Sequence, residues 1–150
     1  MITPKELAGK WFFKGFELGQ IEALLSLGRP AAYPKGGKIL LEGDPADFFG
    51  ILVKGAVAIR MKAQEHGELV LNTLEEPGEI FGWSALVEEG RSTATVDCLE
   101  DTSILRFAKK DAEDLFLKDP VLGYRFMKRL ASLIARRLEN TRALLVQGID

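Results

Sequence analysis

Residues 78–93 read GEIFGWSALVEEGRST, and this stretch decides how the rest of the chain is interpreted. It contains an apolar pair, Ile80-Phe81, that runs into a glycine, which is typical of a strand that stops at a sharp turn. Trp83 to Leu86 has the composition of a single helical turn. Because a turn of helix entered through glycine presents free backbone N–H groups, the stretch predicts a place where an anion can bind.

Around this stretch, from residue 31 to residue 108, short apolar runs alternate with turn clusters about every eight to twelve residues. The turns contain pairs and triplets such as Gly43-Asp44-Pro45 and Glu76-Pro77-Gly78. Many short strands at this spacing are typical of a sandwich, a barrel or a jelly roll. The predicted strands are 38–41, 48–53, 56–61, 69–74, 93–99 and 103–108.

Helical patterns lie on both sides of these strands. Apolar residues at helical spacing predict a helix within 17–27, as part of an N-terminal helical segment over 4–28. After the strands, Asp111 is expected to cap a short helix that ends at Leu117. Asp119-Pro120 is a good N-cap followed by proline at the first helical position, so a long helix is expected from Pro120 to about Leu145. We therefore expect one domain over 1–150, with a β-roll over 31–108 and C-terminal helices over 111–145.

Three motifs together resemble the cyclic nucleotide-binding domain family, which includes the regulatory subunit of protein kinase A and the bacterial catabolite activator protein. Residues 42–47 (EGDPAD) resemble the hairpin signature of that family, residues 78–86 (GEIFGWSAL) its phosphate-binding cassette, and residues 92–96 (STATV) the strand that closes the cassette. The resemblance implies a mainly β fold with flanking helices. In that fold a double-stranded β-helix, a cupin-like jelly roll, lies between N-terminal helices and one long C-terminal helix.

The resemblance also implies a ligand site in the cassette, for a cyclic nucleotide such as cyclic AMP or cyclic GMP. No other cofactor is expected. The residues that it places around the ligand are Phe81, Gly82, Trp83, Ser84, Ala85, Arg91, Ser92 and Thr93. Relatives use the last helix to cover the base, and the residues in that position here are Arg136, Arg137 and Asn140.

Two positions of the cassette depart from the pattern of this family. Trp83 stands where relatives carry a glutamate for the ribose, and an alignment without gaps places Ser92 where they carry an arginine for the phosphate. Arg91 lies one residue earlier, and strand alternation would turn it away from the pocket unless the preceding loop absorbs the slip. Losing two hydrogen bonds to charged groups would cost roughly 3–6 kcal/mol, or about two to four decades of affinity, unless other residues compensate.

Composition excludes several other functions. The net charge of −2 and the pI of about 5.6 give no reason to expect nucleic-acid binding. His66 is the single histidine and Cys98 the single cysteine, so neither a metal site nor a nucleophilic triad is expected, and the chain is predicted not to be an enzyme. We expect Cys98 to be buried and unreactive. Without a signal peptide or a membrane-spanning run, the chain is expected to be cytoplasmic and to contact no membrane.

Three functions stay open from the sequence. The first is a regulatory module that senses a cyclic nucleotide or a related small anion and moves its last helix. The second is a dimerisation or protein-interaction domain with a degenerate pocket. The third is the effector part of a transcription regulator without its DNA-binding part. In each case apolar residues on several sides of the helix from Pro120 to Leu145 predict a homodimer through that helix.

Overall fold

The computed structural model describes residues 1–88 and 90–149. The helices are α1 (Pro4–Ala8), α2 (Leu18–Leu25), α3 (Lys109–Lys118) and α4 (Pro120–Ile149), with 3₁₀ turns at Trp11–Phe13 and Trp83–Leu86. The strands are β1 (Arg29–Tyr33), β2 (Lys38–Leu40), β3 (Phe48–Lys54), β4 (Val57–Ala63), β5 (Gly67–Leu74), β6 (Ile80–Phe81), β7 (Thr95–Cys98) and β8 (Thr102–Ala108).

The strands form two antiparallel sheets of four strands each. One sheet has the order β1-β8-β3-β6 and the other the order β2-β7-β4-β5, so strands distant in sequence lie side by side in both. This arrangement, between N-terminal helices and a long C-terminal helix, confirms the predicted mainly β jelly-roll class. Each of the six predicted apolar runs overlaps one of the strands.

The central strand β3 is buried on both faces, because it has the second sheet on one side and the helices on the other. Phe48 and Leu52 belong to the cluster between the sheets, whereas Phe49 and Ile51 belong to the cluster beneath the helices. Alternating side chains of one strand therefore enter two separate cores. Burial on both faces also explains why the sequence of β3 is almost continuously apolar.

The N-terminal segment is attached to α4 by arginine side chains. Arg129 donates hydrogen bonds to the backbone carbonyls of Trp11, Phe12 and Lys14, and Arg125 donates to the carbonyl of Gly15. These carbonyls lie in and just after the 3₁₀ turn, and the one of Trp11 also accepts from the backbone N–H of Lys14. The segment before the β-roll and α4 therefore form one layer over the first sheet.

Three local predictions differ from the structure. Strand β1 was not predicted, because its sequence, RPAAY, lacks an apolar alternation; it is an edge strand, where Pro30 is tolerated. The prediction that Asp111 is an N-cap was wrong, since the helix begins at Lys109 and Asp111 lies within its first turn. Helix α4 continues past Leu145 to Ile149.

Two other local predictions, the cap at Asp119 and the burial of Cys98, were correct. The carboxylate of Asp119 accepts a hydrogen bond from the backbone N–H of Leu122 at 3.1 Å, as expected of the N-cap of α4. Cys98 is buried, and desolvation is the main reason that the pKa of its thiol is raised. Within the described ranges, no helix combines the length and the apolar character needed to cross a bilayer.

We predict that Gly55→Ala lowers the free energy of unfolding by more than Gly67→Ala does. Both glycines have positive φ, 105° and 68°, so either substitution should cost about 1–2 kcal/mol of backbone strain. A Cβ at Gly55 would also lie 2.6 Å from the carbonyl oxygen of Asp101, whereas nothing lies within 4 Å of one at Gly67. We therefore expect a further loss of roughly 1–3 kcal/mol for Gly55→Ala in urea titrations. Equal losses for the two variants would contradict the close contact at Gly55.

Candidate functional site

The cassette turn begins at Gly82, whose backbone is left-handed with a φ of 79°. A Cβ at this position would lie 2.8 Å from Cδ1 of Leu40, so both the conformation and the space require glycine. The chain leaves β6 here and enters the 3₁₀ turn Trp83–Leu86. The strand, glycine turn and single helical turn predicted for this stretch are therefore confirmed.

The hairpin signature and the end of the cassette loop pair with each other. The backbone N–H of Ser92 donates to the carbonyl of Asp44 at 2.9 Å, and the N–H of Gly43 donates to the carbonyl of Ser92 at 2.8 Å. Pro45 and Arg91 form an isolated antiparallel bridge between the first of these bonds and a third, from the N–H of Ala46 to the carbonyl of Gly90 at 2.7 Å. The two motifs, about 50 residues apart in the sequence, thus hold one another in a fixed register.

A small cavity lies between the cassette turn and the strand that closes it, and we call it the cassette cavity. Its volume is about 30 Å³, which is room for two or three water molecules if each needs roughly 10–15 Å³. It is lined by Leu40, Ile59, Gly82, Trp83, Ser84, Ser92, Thr93, Ala94 and Val96. Five of the predicted site residues, Gly82, Trp83, Ser84, Ser92 and Thr93, are therefore brought together.

The polar character of the cassette cavity comes from hydroxyl groups. Ser84 and Ser92 are 5% and 6% exposed, so both side chains are shielded from bulk water. The structure records no hydrogen bond from either hydroxyl to a described residue. Both residues line the cassette cavity, so their hydroxyls are accessible to a polar molecule that enters it.

Three predicted residues do not line the cassette cavity. The side chains of Phe81 and Ala85 are fully buried in the core, where they support the turn from behind. Arg91 is exposed, and its Nη1 donates to the carbonyl of Gly43 at 2.9 Å. The register with Pro45 turns Ser92 inward and Arg91 outward, so the loop does not absorb the one-residue slip. Among the described residues that line the cassette cavity there is no cation.

The candidate residues on α4 line a second and larger cavity, which we call the α4 cavity. Its volume is about 510 Å³, and it lies between α4, β5, the loop before β6 and the first 3₁₀ turn. In it Arg136 stacks on the indole of Trp11 at 3.8 Å, and Asn140 donates to the side-chain oxygen of Asn72 at 3.2 Å. Arg137 joins the two cavities, since its guanidinium lies 5.0 Å from the ring centroid of Trp83.

Arg137 is in an unusual state for an arginine. Its Nη2 donates to the carbonyl of Ile80 at 3.3 Å, but its Nη1 is buried and has no hydrogen-bond partner among the described residues. Burial lowers the pKa of Arg137, and the carboxylate of Glu79 acts in the opposite direction. Sequence reasoning placed Arg137 beside a ligand but did not foresee an unpaired buried cation, because its surroundings come from strands more than fifty residues away.

Metal and ion-pair sites are scarce in the described part of the chain. No group of three or more histidine, cysteine, aspartate or glutamate side chains is placed to hold a metal ion there. Within the same residues, Arg60 and Asp97 form the single ion pair, at 2.7 Å on β4 and β7. The chemistry of the region around Trp83 therefore rests on hydroxyl groups and on arginines without carboxylate partners.

Comparison with known proteins agrees with this geometry. The family model for the cyclic nucleotide-binding domain matches residues 30–119. The cyclic AMP receptor protein of Thermus thermophilus is 29% identical over 134 residues, which is 89% of this chain and 60% of that protein. The crystal structure of the Thermus thermophilus catabolite activator protein superposes with a TM-score of 0.76 over 91% of this chain and 62% of that chain, at 29% identity.

A third relative shows a similar segment within a longer protein of a different name. Glutaminase 1 of Bradyrhizobium diazoefficiens is 33% identical over 135 residues, which is 89% of this chain but 21% of that protein. The chain spans about three fifths of the receptor protein that it matches. By its motifs, its fold and the family model that covers most of the β-roll, the chain belongs to the cyclic nucleotide-binding domain family.

Proposed function

We propose that this domain is a regulatory module that receives a small ligand, a cyclic nucleotide or a related small anion, at the cassette cavity. The observation that carries the proposal is that Ser84 and Ser92, whose hydroxyls have no hydrogen-bond partner among the described residues, line one cavity together with the glycine turn of the cassette. The residues that we propose to contact the ligand are Gly82, Trp83, Ser84, Ser92 and Thr93. Phe81 and Ala85 support the turn through their buried side chains.

Binding at this site requires the cassette cavity to open. A volume of about 30 Å³ does not hold a cyclic nucleotide, since pockets for ligands of that size measure about 300–1,000 Å³. Trp83 is the bulkiest group in the lining and stands where relatives carry glutamate, so its displacement is the natural way to make room. The apparent affinity of the protein is then lower than that of the open form, in proportion to the fraction of molecules in which the cavity is open.

The contact between Trp83 and Arg137 supplies a route from the cassette cavity to α4. A ligand that displaces Trp83 removes the aromatic surface from Arg137, whose N–H is already unpaired. Farther along α4, Arg125 and Arg129 bind the N-terminal segment, so any motion of α4 must also affect that segment. We therefore propose α4 as the output of the module.

We also propose that α4 pairs with α4 of a second copy. Leu138 and Leu145, seven residues apart and so on one side of the helix, are 48% and 65% exposed, whereas Leu130 packs on the core of its own chain. Val146 is 66% exposed as well. A helix end with this much apolar surface is only marginally stable in water without a partner, and a second copy offers a matching surface.

Two other functions are favoured by particular observations. The absence of a cation in the described lining of the cassette cavity favours an interaction domain that binds no nucleotide. The match to the Thermus receptor protein, of which the chain spans 60%, favours the effector part of a longer regulator. No catalytic role is proposed, since the family is a regulatory one and the match to Glutaminase 1 covers 21% of that protein.

We predict that Trp83→Glu combined with Ser92→Arg raises the affinity for 3′,5′-cyclic AMP by about two to four decades. The two substitutions supply the hydrogen bonds to charged groups that relatives use, worth roughly 3–6 kcal/mol together. Isothermal titration of the wild type, both single variants and the double variant measures the change. Arg91→Ala is the control, and it should leave the affinity unchanged because Arg91 faces away from the cassette cavity.

A double variant that folds but still fails to bind at millimolar ligand would contradict a ligand site in this cassette. Wild-type protein that binds neither cyclic AMP nor cyclic GMP, next to a double variant that binds, would favour the interaction domain. A loss of affinity in Arg91→Ala would contradict the outward position of Arg91.

We predict a dimer in solution that Leu138→Glu dissociates. A charge at this position would be buried against the partner helix, and an unpaired buried charge is costly. Light scattering at tens of micromolar protein should give twice the chain mass of 16.6 kDa for the wild type and the single mass for the variant. Leu138 is a sharper choice than Ile134, because Ile134 packs partly on its own core and a glutamate there would also destabilise the monomer.

The control for this experiment is Ser132→Glu, which adds the same charge to the same helix. Ser132 is exposed and lies six residues before Leu138, about a third of a turn away around the helix axis. It should remain a dimer. A wild type that scatters as a monomer would reject the pairing.

A further inference from the structure

The α4 cavity is not assigned by the motifs of the cassette. Its walls come from four separate elements: the first 3₁₀ turn, the end of β5, the loop before β6 and the middle of α4. Its volume of about 510 Å³ lies within the range of ligand pockets, roughly 300–1,000 Å³, while the cassette cavity is far smaller. The α4 cavity is thus the larger of the two cavities that meet at Arg137.

Cations outnumber anions on the walls of the α4 cavity. Lys10, Arg136 and Arg137 line it, against the carboxylates of Glu76 and Glu79. None of the three cations has a carboxylate partner within 4 Å among the described residues.

The carboxylate of Glu79 is partly used by its own loop. Its Oε2 accepts hydrogen bonds from the backbone N–H groups of Glu75 and Glu76, at 3.1 and 3.0 Å. It therefore serves as a cap for the turn before β6 and not as an ion-pair partner for α4. The two carboxylates of the walls therefore balance only part of the charge of the three cations.

Arg137 is the group in this lining that most requires a partner. Burying an ionised group without an opposite charge is unfavourable, and a buried N–H without an acceptor adds to that cost. The hydrogen bond of Arg137 to the carbonyl of Ile80 and its position over the ring of Trp83 supply no opposite charge. An anionic ligand in the α4 cavity would supply one beside the guanidinium, for which carboxylates and phosphates are suitable partners.

We propose that the α4 cavity binds a small organic anion, a phosphate monoester or a carboxylate, whose charged group pairs with the Arg137 guanidinium. Lys10 and Arg136 contribute to the positive field, and the indole of Trp11, held by Arg136, supplies an apolar wall for the rest of the molecule. The bond between Asn140 and Asn72 ties α4 to β5 at the rim, so an occupant would hold these two elements together. This site is separate from the ligand site proposed in the cassette and does not depend on it.

The chain carries natural reporters for the test, since both of its tryptophans, Trp11 and Trp83, contact arginines of the α4 cavity. Inorganic phosphate and phenyl phosphate are titrated into the full chain at constant ionic strength, and the two indole N–H signals are followed by NMR. We expect a saturable shift at millimolar phosphate and a tighter constant for phenyl phosphate. Arg137→Met should weaken both by about ten- to hundredfold, as for the loss of a charge-assisted hydrogen bond.

Matched variants separate a local site from a general charge effect. Arg142→Met removes the same charge from an exposed position of α4 and should leave binding unchanged. Lys10→Met should weaken binding less than Arg137→Met does. If Arg137→Met does not fold, a weaker binding constant in Lys10→Met still tests whether the anion binds in the α4 cavity. The melting temperature of unliganded Arg137→Met should equal or exceed that of the wild type, because a role in structure alone predicts a decrease.

The outcomes also distinguish this site from the proposed cassette site. Ser92 lines the cassette cavity and not the α4 cavity. Ser92→Ala should therefore leave the phosphate titration unchanged. If phosphate binding were lost in Ser92→Ala and kept in Arg137→Met, the anion would bind in the cassette cavity, and the proposal would be overturned. An absence of saturable shifts in the wild type, or equal losses in Arg142→Met and Arg137→Met, would overturn it too.

Discussion

The position of α4 depends on one aromatic contact beneath it. The ring of Phe126 lies 5.6 Å from that of Phe49 in β3 and 5.0 Å from that of Phe12 in the N-terminal segment. Phe49 in turn stacks on Phe107 of β8 at 5.0 Å. Strand, helix and N-terminal segment thus meet in one buried cluster, and aromatic groups of this size dominate the free energy of packing. Any motion of α4 in function therefore takes place about a helix segment that these contacts hold in position.

The contacts of Phe126 fix the rotation of α4 about its axis, and this rotation determines which later residues of the helix face the β-roll. Arg137 follows Phe126 by eleven residues, close to three helical turns, so it returns to the same side of the helix. That side meets the carbonyl of Ile80 at the end of β6, and immediately after it the ring of Trp83. The position of Arg137 beside the cassette is therefore a consequence of helix geometry and of the aromatic contacts of Phe126. The exposed side of the same helix, with Leu138 and Leu145, is free for a second copy.

Local patterns were enough to predict the cassette turn, the strand runs and the cap of α4, because each depends on neighbours in the sequence. Gly82 needs its left-handed backbone, and Asp119 is followed by a proline at the first position of the helix. The direction of Arg91 was a different problem, since it depends on a bridge to Pro45. The environment of Arg137 depends on Trp83 and Ile80, which no helical pattern reveals. Strand β1 escaped prediction for the same reason: only its pairing with β8 makes an extended strand of RPAAY.

The two departures of the cassette from its family are best understood together with Arg137. Replacing the family's glutamate by Trp83 takes a negative charge away from the neighbourhood of α4, and Ser92 takes a positive charge away from the cassette. What remains is Arg137, a cation that has no carboxylate within 4 Å among the described residues and lies 5.0 Å from the tryptophan. A ligand that pairs with Arg137 would therefore be recognised by α4 itself. Recognition and output would then share one residue, and the free energy of binding would act on α4 directly, without a cassette rearrangement between them.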